Sequence, residues 1–219
     1  MSIRKYFEEE LNALKLALVK MCRTTEEMID GAIHALIMQD TVLAKNVIEM
    51  DPDVDAMELD IEKKCLRFML RQAPVAKDFR EVSTTLKLIT DIERIGDQAS
   101  DISELVVHLA ERKCRYVKDL QHIERMGKLA VKMVHNSVDS FIRNDNDLAM
   151  ETARLDDEMD ELFNVVMEEL IELIKKDSQN ADQAIIFMMI TKYLERIGDH
   201  AVNVCEWTEY NETGVHQKY

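Results

Sequence analysis

Leu11, Leu14, Leu18, Met21, Met28, Ala32, Ala35 and Leu36 follow one another at steps of three, four and seven residues. That spacing gathers them on one face of a long α-helix. The same period continues along nearly the whole chain. It is interrupted at Gln39-Asp40-Thr41, Asp51-Pro52, Ala73-Pro74, Arg112 to Lys118, Asn144 to Asp147 and Lys176 to Ala181. The pattern predicts six helices, near 5–39, 42–72, 76–111, 118–143, 147–176 and 181–209, with a loose tail from Asn211. Only 5 Gly and 2 Pro are present, which is too few for the turns of an all-β fold. The expected fold is all-α.

The chain also repeats itself. Shifted by 105 residues, Met21 falls on Met126, Met28 on Met133, Asp40 on Asp145, and Leu43-Ala44 on Leu148-Ala149. Farther on the shift becomes 102, and Asp91–Asp97 (DIERIGD) falls on Tyr193–Asp199 (YLERIGD). A second-to-third helix turn shorter by three residues in the second copy accounts for the change. Length changes confined to turns are what a structural repeat allows. The chain therefore reads as two antiparallel three-helix bundles, 1–113 and 117–210, followed by a flexible tail over 211–219.

Each copy carries two acidic pairs at i, i+4 spacing: Asp51/Asp55 and Glu93/Asp97 in the first, Asp156/Asp160 and Glu195/Asp199 in the second. Four residues apart on a helix means the same face. In the first copy the pairs lie 19 and 23 residues on either side of Pro74. Folding the two helices back at that proline brings the pairs level, because the rise per residue is common to both. The second copy does the same around Ser178, to within a turn. Like charges about 5 Å apart at an effective dielectric near 20 repel by roughly 3 kcal/mol per pair, so protons or a multivalent cation must neutralise some of them. An all-oxygen set suits hard ions such as magnesium, calcium or manganese, and also carboxylate-bridged iron or zinc.

A lone acidic pair means little in a chain that is roughly a fifth Asp and Glu, and most such pairs are solvated faces. Asp51 has the further alternative of capping a helix that starts with Pro52. The duplicated ERIGD, with glycine in mid-helix at Gly96 and Gly198, lifts the metal reading above that background. Such a glycine marks either a tight helix crossing or a close approach to a ligand. Arg94 and Arg196, lying between the acids, are expected to point elsewhere on the helix. Asp101, one turn past Asp97, joins the candidate ligands. Glu104 and Glu206 read as solvated, and His200 as a neighbour of the site, since the first copy has Gln98 in its place.

The net charge of −15 argues against a nucleic-acid surface and against direct binding to anionic lipid. The N-terminal MSIRKYFEEELNAL has no signal-peptide core, and the longest apolar run, Ala184 to Ile190, is too short for a bilayer. The expected location is cytoplasmic, with membrane contact only through a protein partner. The four scattered cysteines suggest reduced thiols. A helix-bundle di-iron enzyme would use Glu-x-x-His pairs, and the nearest approach is Asp119-x-x-His122 at a helix start. No enzymatic activity is expected.

DIERIGDQASDISE and YLERIGDHAVNVCEW resemble the two signature segments of the PhoU family of phosphate-uptake regulators, and RQAPVAKDFR resembles the opening of its third helix. The resemblance spans essentially the whole chain. It implies a six-helix fold of two bundles, often a homodimer, with divalent or trivalent metal ions (iron, zinc, manganese or magnesium) at E(D)xxxD motifs. By motif these map to Glu93, Asp97, Glu195 and Asp199, faced by Asp51, Asp55, Asp156 and Asp160. It further implies a protein that links the ATPase subunit of a phosphate ABC transporter to a sensor histidine kinase and represses the phosphate-starvation response. A metal-free helical adaptor and an accessory of another phosphate carrier are the alternatives. Gln98 and Asp101 stand where the family usually has His and Asn, and Ala73 is an extra residue before Pro74.

Overall fold

The computed structural model describes residues 3–72, 74–111 and 116–215, with side chains from Glu8 onward. The first repeat holds α1 (Ile3–Met38), α2 (Thr41–Gln72) and α3 (Ala76–Glu111). The second holds α4 (Gln121–Arg143), α5 (Asn146–Ala153), α6 (Leu155–Lys176), a 3₁₀ turn over Ser178–Asn180, and α7 (Ala181–Thr213). No strand occurs among the described residues.

The repeat extends to backbone detail. Gln39 and Asn144, which the 105-residue shift superposes, are the two non-glycine residues with positive φ among the described residues, at 55° and 53°. Each ends a helix in the left-handed conformation. The next residue caps the following helix in both copies. Asp40 accepts from the amides of Val42 and Leu43 at 2.9 and 3.0 Å, and Asp145 from the amide of Leu148 at 3.0 Å. The shortened turn lies where the register change requires it. Residues 73–75 have no counterpart, and Ser178–Asn180 fall on Ala76–Asp78, the opening turn of α3. Ala73 itself, and residues 112–115 of the expected junction with Cys114, lie outside the described residues.

Three expectations need correction. The helix expected over 147–176 is bent, with a break at Arg154 separating α5 from α6. Arg154 falls on Glu49 of the first repeat, beside Ile48, whose carbonyl loses its amide partner because Pro52 has no N–H. The same turn is therefore weak in both copies. In the first it does not break: α2 runs through Pro52, so Asp51 is not an N-cap. Finally, the tail expected from Asn211 begins later. α7 continues to Thr213 because Asn211 is 3% exposed and donates to the Asn144 side chain at 3.2 Å. Gly214, at φ 74°, then closes the helix with its amide on the Tyr210 carbonyl. Residues 216–219 lie outside the described residues.

Within each repeat the helices pack in a three-cornered bundle, and the repeats meet through α3 against α7 and α1 against α4. One continuous apolar core crosses that boundary, with Met21, Ile29, Ile92 and Ile95 joined to Met133, Phe187, Leu194 and Ile197. Cys22, Cys65 and Cys205 are buried free thiols. Among the described residues no helix is long and apolar enough to cross a membrane.

Candidate metal centre

In the first repeat α2 and α3 cross where Val54, 1% exposed, meets Gly96. A Cβ on Gly96 would stand 3.2 Å from a Val54 methyl, so the missing side chain is what lets the helices approach. The acids stand along the edge of this seam. Oxygen atoms of Asp55, Glu93 and Asp97 all lie within 4.8 Å of one another. Asp51 joins them: burial first, then the charges of Asp97 and Asp55, push its carboxyl up to about 6. Burial and the neighbouring Asp97 raise Glu93 to about 7. Three of the four expected carboxylates come within 4.8 Å of one another, and Asp51 lies near enough to feel the charge of two of them.

In the second repeat the equivalent acids lie between α6 and α7 and act on one another's charge, but among the described residues only the first-repeat trio comes within 4.8 Å. Burial raises Asp156 to about 6, followed by the charges of Asp160, Asp199 and Glu195. Asp199 is also raised, by burial and then by Glu195. Here the space left by the glycine is taken by the site itself, since a Cβ on Gly198 would stand 3.3 Å from Asp156 Oδ1. The two readings of the mid-helix glycine, a tight crossing and a close approach to the site, are one and the same at this position.

Two cationic side chains hold part of this charge. Arg94 does not point away. Its guanidinium turns back to Asp97 at 2.9 Å and to Glu93 at 3.4 Å. Lys192 covers Glu195 at 2.5 Å in the second site. Arg196 behaves as expected and lends its charge to Asp101 in the other repeat. Even so, Glu93 Oε2 and Asp156 Oδ1 are buried oxygens without a hydrogen-bond partner. A buried acceptor left unsatisfied costs about 1–3 kcal/mol, and more when charged. In the first cluster such an oxygen sits in an all-oxygen set spaced within 4.8 Å, which fits an oxygen-ligated cation; in the second the unpartnered oxygen belongs to Asp156, beside Asp160, Asp199 and Glu195.

Sequence reasoning missed one participant and misplaced others. Glu58 adds its charge to Glu93 and accepts from the Thr90 hydroxyl at 3.1 Å. Its counterpart is Phe163, so the duplication hid it. Asp101 lies near Asp51 and Asp97 but also interacts with the Tyr193 phenol on α7. His200 does not face the acids: its Nδ1 bonds Asp91 at 2.9 Å, and Asn203 Nδ2 donates to the same oxygen at 3.2 Å. Glu104 is exposed as expected, whereas Glu206 is 7% exposed and belongs to the buried polar set. Asp119 precedes the N-cap of α4 and accepts from the Gln121 amide at 3.0 Å, and His122 pairs with Glu169 at 2.8 Å, apart from both acid clusters.

A family model described as "PhoU domain" matches residues 18–106 and again 123–208. The chain belongs to the PhoU family. It is 36% identical over 212 residues to a "Phosphate-specific transport system accessory protein PhoU homolog" of Clostridium acetobutylicum, covering 96% of each chain. A Thermotoga maritima protein described as PhoU homolog 1 is 34% identical, covering 97% of this chain and 91% of that one. The crystal structure of PhoU from Pseudomonas aeruginosa superposes with a TM-score of 0.90 at 32% identity, covering 95% of this chain and all of that chain. That of a phosphate transport system regulatory protein PhoU from Streptococcus pneumoniae gives 0.89 at 26% identity, covering 97% of this chain and all of that one. Both family matches contain an ERIGD segment, so the duplicated unit coincides with the two matched domains.

Proposed function

We propose that this PhoU-family chain is a non-enzymatic, metal-binding accessory of a phosphate transport system, and that it restrains the phosphate-starvation response. The names of its relatives and its full-length match to them support the transport role. The metal reading rests on one observation: each repeat gathers carboxylates around a buried oxygen that no hydrogen bond satisfies, Glu93 Oε2 in one, with only Arg94 Nε near it at 3.4 Å, and Asp156 Oδ1 in the other. Glu93, Asp97, Asp51 and Asp55 would hold cations in the first site, with Asp101 beside them. Glu195, Asp199, Asp156 and Asp160 would hold them in the second. A bound cation supplies positive charge that lets these acids ionise together in the native state.

On this reading the partners are the ATPase subunit of a phosphate ABC transporter and a sensor histidine kinase. The chain works in the cytoplasm as a homodimer, without nucleic acid, and reaches the membrane only through those partners. Elemental analysis of protein purified without chelator, combined with partner capture at high and low phosphate, tests both halves of the proposal. Stoichiometric metal with phosphate-dependent capture of a transporter ATPase supports it. Metal-free protein that still captures the partner leaves a metal-free adaptor, a reading that Arg94 and Lys192 favour because they already offset part of the charge. Capture of a different phosphate carrier would reassign the transporter.

A further inference from the structure

The seam between α3 and α7 carries two polar bridges that the internal repeat relates to each other. Asp91 occupies the position of Tyr193, and Asp101 that of Asn203. Asp91 accepts from Asn203 at 3.2 Å, and Tyr193 interacts electrostatically with Asp101 across the same seam. His200, at the position of Gln98, reinforces the first bridge at 2.9 Å. Each bridge begins two residues before one site's glutamate, Glu93 or Glu195. Each ends four residues past the other site's aspartate, Asp199 or Asp97. Both ends of both bridges therefore lie within about a turn of a cluster acid.

The bridges span the more extensive of the two contacts between repeats. Asp91 and His200 have side chains 15% and 19% exposed, so the hydrogen bonds between them are largely shielded from water. Shielded, directional bonds fix the axial and rotational register of α3 against α7 more firmly than apolar contact alone. A cation that sets the position of Glu93 and Asp97 also sets α3, and with it the frame of α7 on which Glu195 and Asp199 stand.

We infer that the two acid clusters are positively coupled, with Asp91 and Tyr193 acting as positioning residues that transmit occupancy of one site to the affinity of the other. This rests on the metal reading above. Through-space electrostatics alone predicts the opposite sign, because a cation in one cluster repels a cation approaching the other. The sign of the coupling thus separates the bridges from the field.

The test is titration of the metal-stripped protein with Mn(II) alone, followed by calorimetry and by the electron paramagnetic resonance of free ion. Wild type is compared with Asp160→Asn/Asp199→Asn, which removes about the charge that one divalent cation would neutralise and so holds the field at the first site level. The expected result is first-site binding at least about fivefold weaker in the double variant than in wild type with the second site filled. Tyr193→Phe, or Asp91→Ala as a second disruption, removes that difference while both sites still bind. Equal first-site affinity in wild type and the double variant, or a difference that survives both bridge variants, overturns the coupling and leaves the metal reading intact. Absence of Mn(II) binding in wild type overturns both.

Discussion

Asp156 Oδ1 lies 3.3 Å from the point at which a Cβ on Gly198 would stand, and Met159 Cγ lies 3.4 Å from it. Alanine at 198 would gain about 1 kcal/mol of helix propensity and lose about 1–3 kcal/mol to crowding, so the net change runs from nothing to a loss of about 2 kcal/mol. The second site feels the substitution directly, because the atom displaced is the unpartnered carboxylate oxygen. Gly96→Ala meets a Val54 methyl instead. Parallel metal titrations of the two variants are expected to show the second site weakened by Gly198→Ala and the first site little changed by Gly96→Ala. Equal losses would contradict the placement of Asp156.

The acid clusters set a pH dependence. Asp51, Glu93 and Asp156 titrate near 6, 7 and 6 in the native state, above the ordinary carboxylate range of the unfolded chain. The native state therefore binds protons more tightly, and the stability this contributes is fully present below about pH 4 and lost as pH rises through 6 to 7. The melting temperature of metal-stripped protein is expected to fall between pH 5 and pH 8. Saturating cation should flatten the dependence, since it stabilises the ionised form. A metal-stripped melting temperature that rises across this window would count against the raised values.

Substituting Asp97 and Asp199 together by Asn keeps shape and removes two charges. In wild type a cation at a hundred times its dissociation constant adds about 2.7 kcal/mol, or roughly 5–11 °C for a chain of this size. Chelator should produce that drop in wild type and none in the double variant, whose metal content falls as well. Unchanged metal content and chelator response in the variant would reduce the clusters to solvated stripes.

Arg94 and Lys192 are half-exposed, at 54% and 49%, so their ion pairs are worth at most about 1 kcal/mol each. Replacing both by Met should lower the stability of the metal-stripped protein by no more than about 2 kcal/mol. The same change should strengthen metal binding, because the cation no longer competes with a resident positive charge. Differential scanning calorimetry with and without chelator measures both effects.

Much of this was legible in the sequence because two regularities reinforced each other. The period of the apolar residues fixed the helices, and the 105 and 102 shifts fixed how they repeat. With the rise per residue known, Pro74 and Ser178 then brought the acidic pairs level. What escaped notice departs from the repeat. Glu58 has Phe163 as its counterpart, and only its step of three from Asp55 could have signalled it. The α3–α7 bridges join unlike residues at equivalent positions, so self-comparison passes over them. The inward turn of Arg94 is decided by which acids lie nearest in space, and spacing along one helix does not carry that information. The break at Arg154 has no proline or glycine to announce it.

The single core shared by the two repeats says something about how such a chain could arise. A half-length ancestor would have left the faces of its first and third helices bare, and a second copy is the natural cover for both. Such a symmetric pair is compelled to make both α3–α7 bridges from the same two residue types. Here one bridge is Asp91 with Asn203 and the other joins Tyr193 with Asp101, a combination closed to a symmetric pair of identical copies. Joined in one chain, the two halves differ at these positions while each remains the other's packing partner.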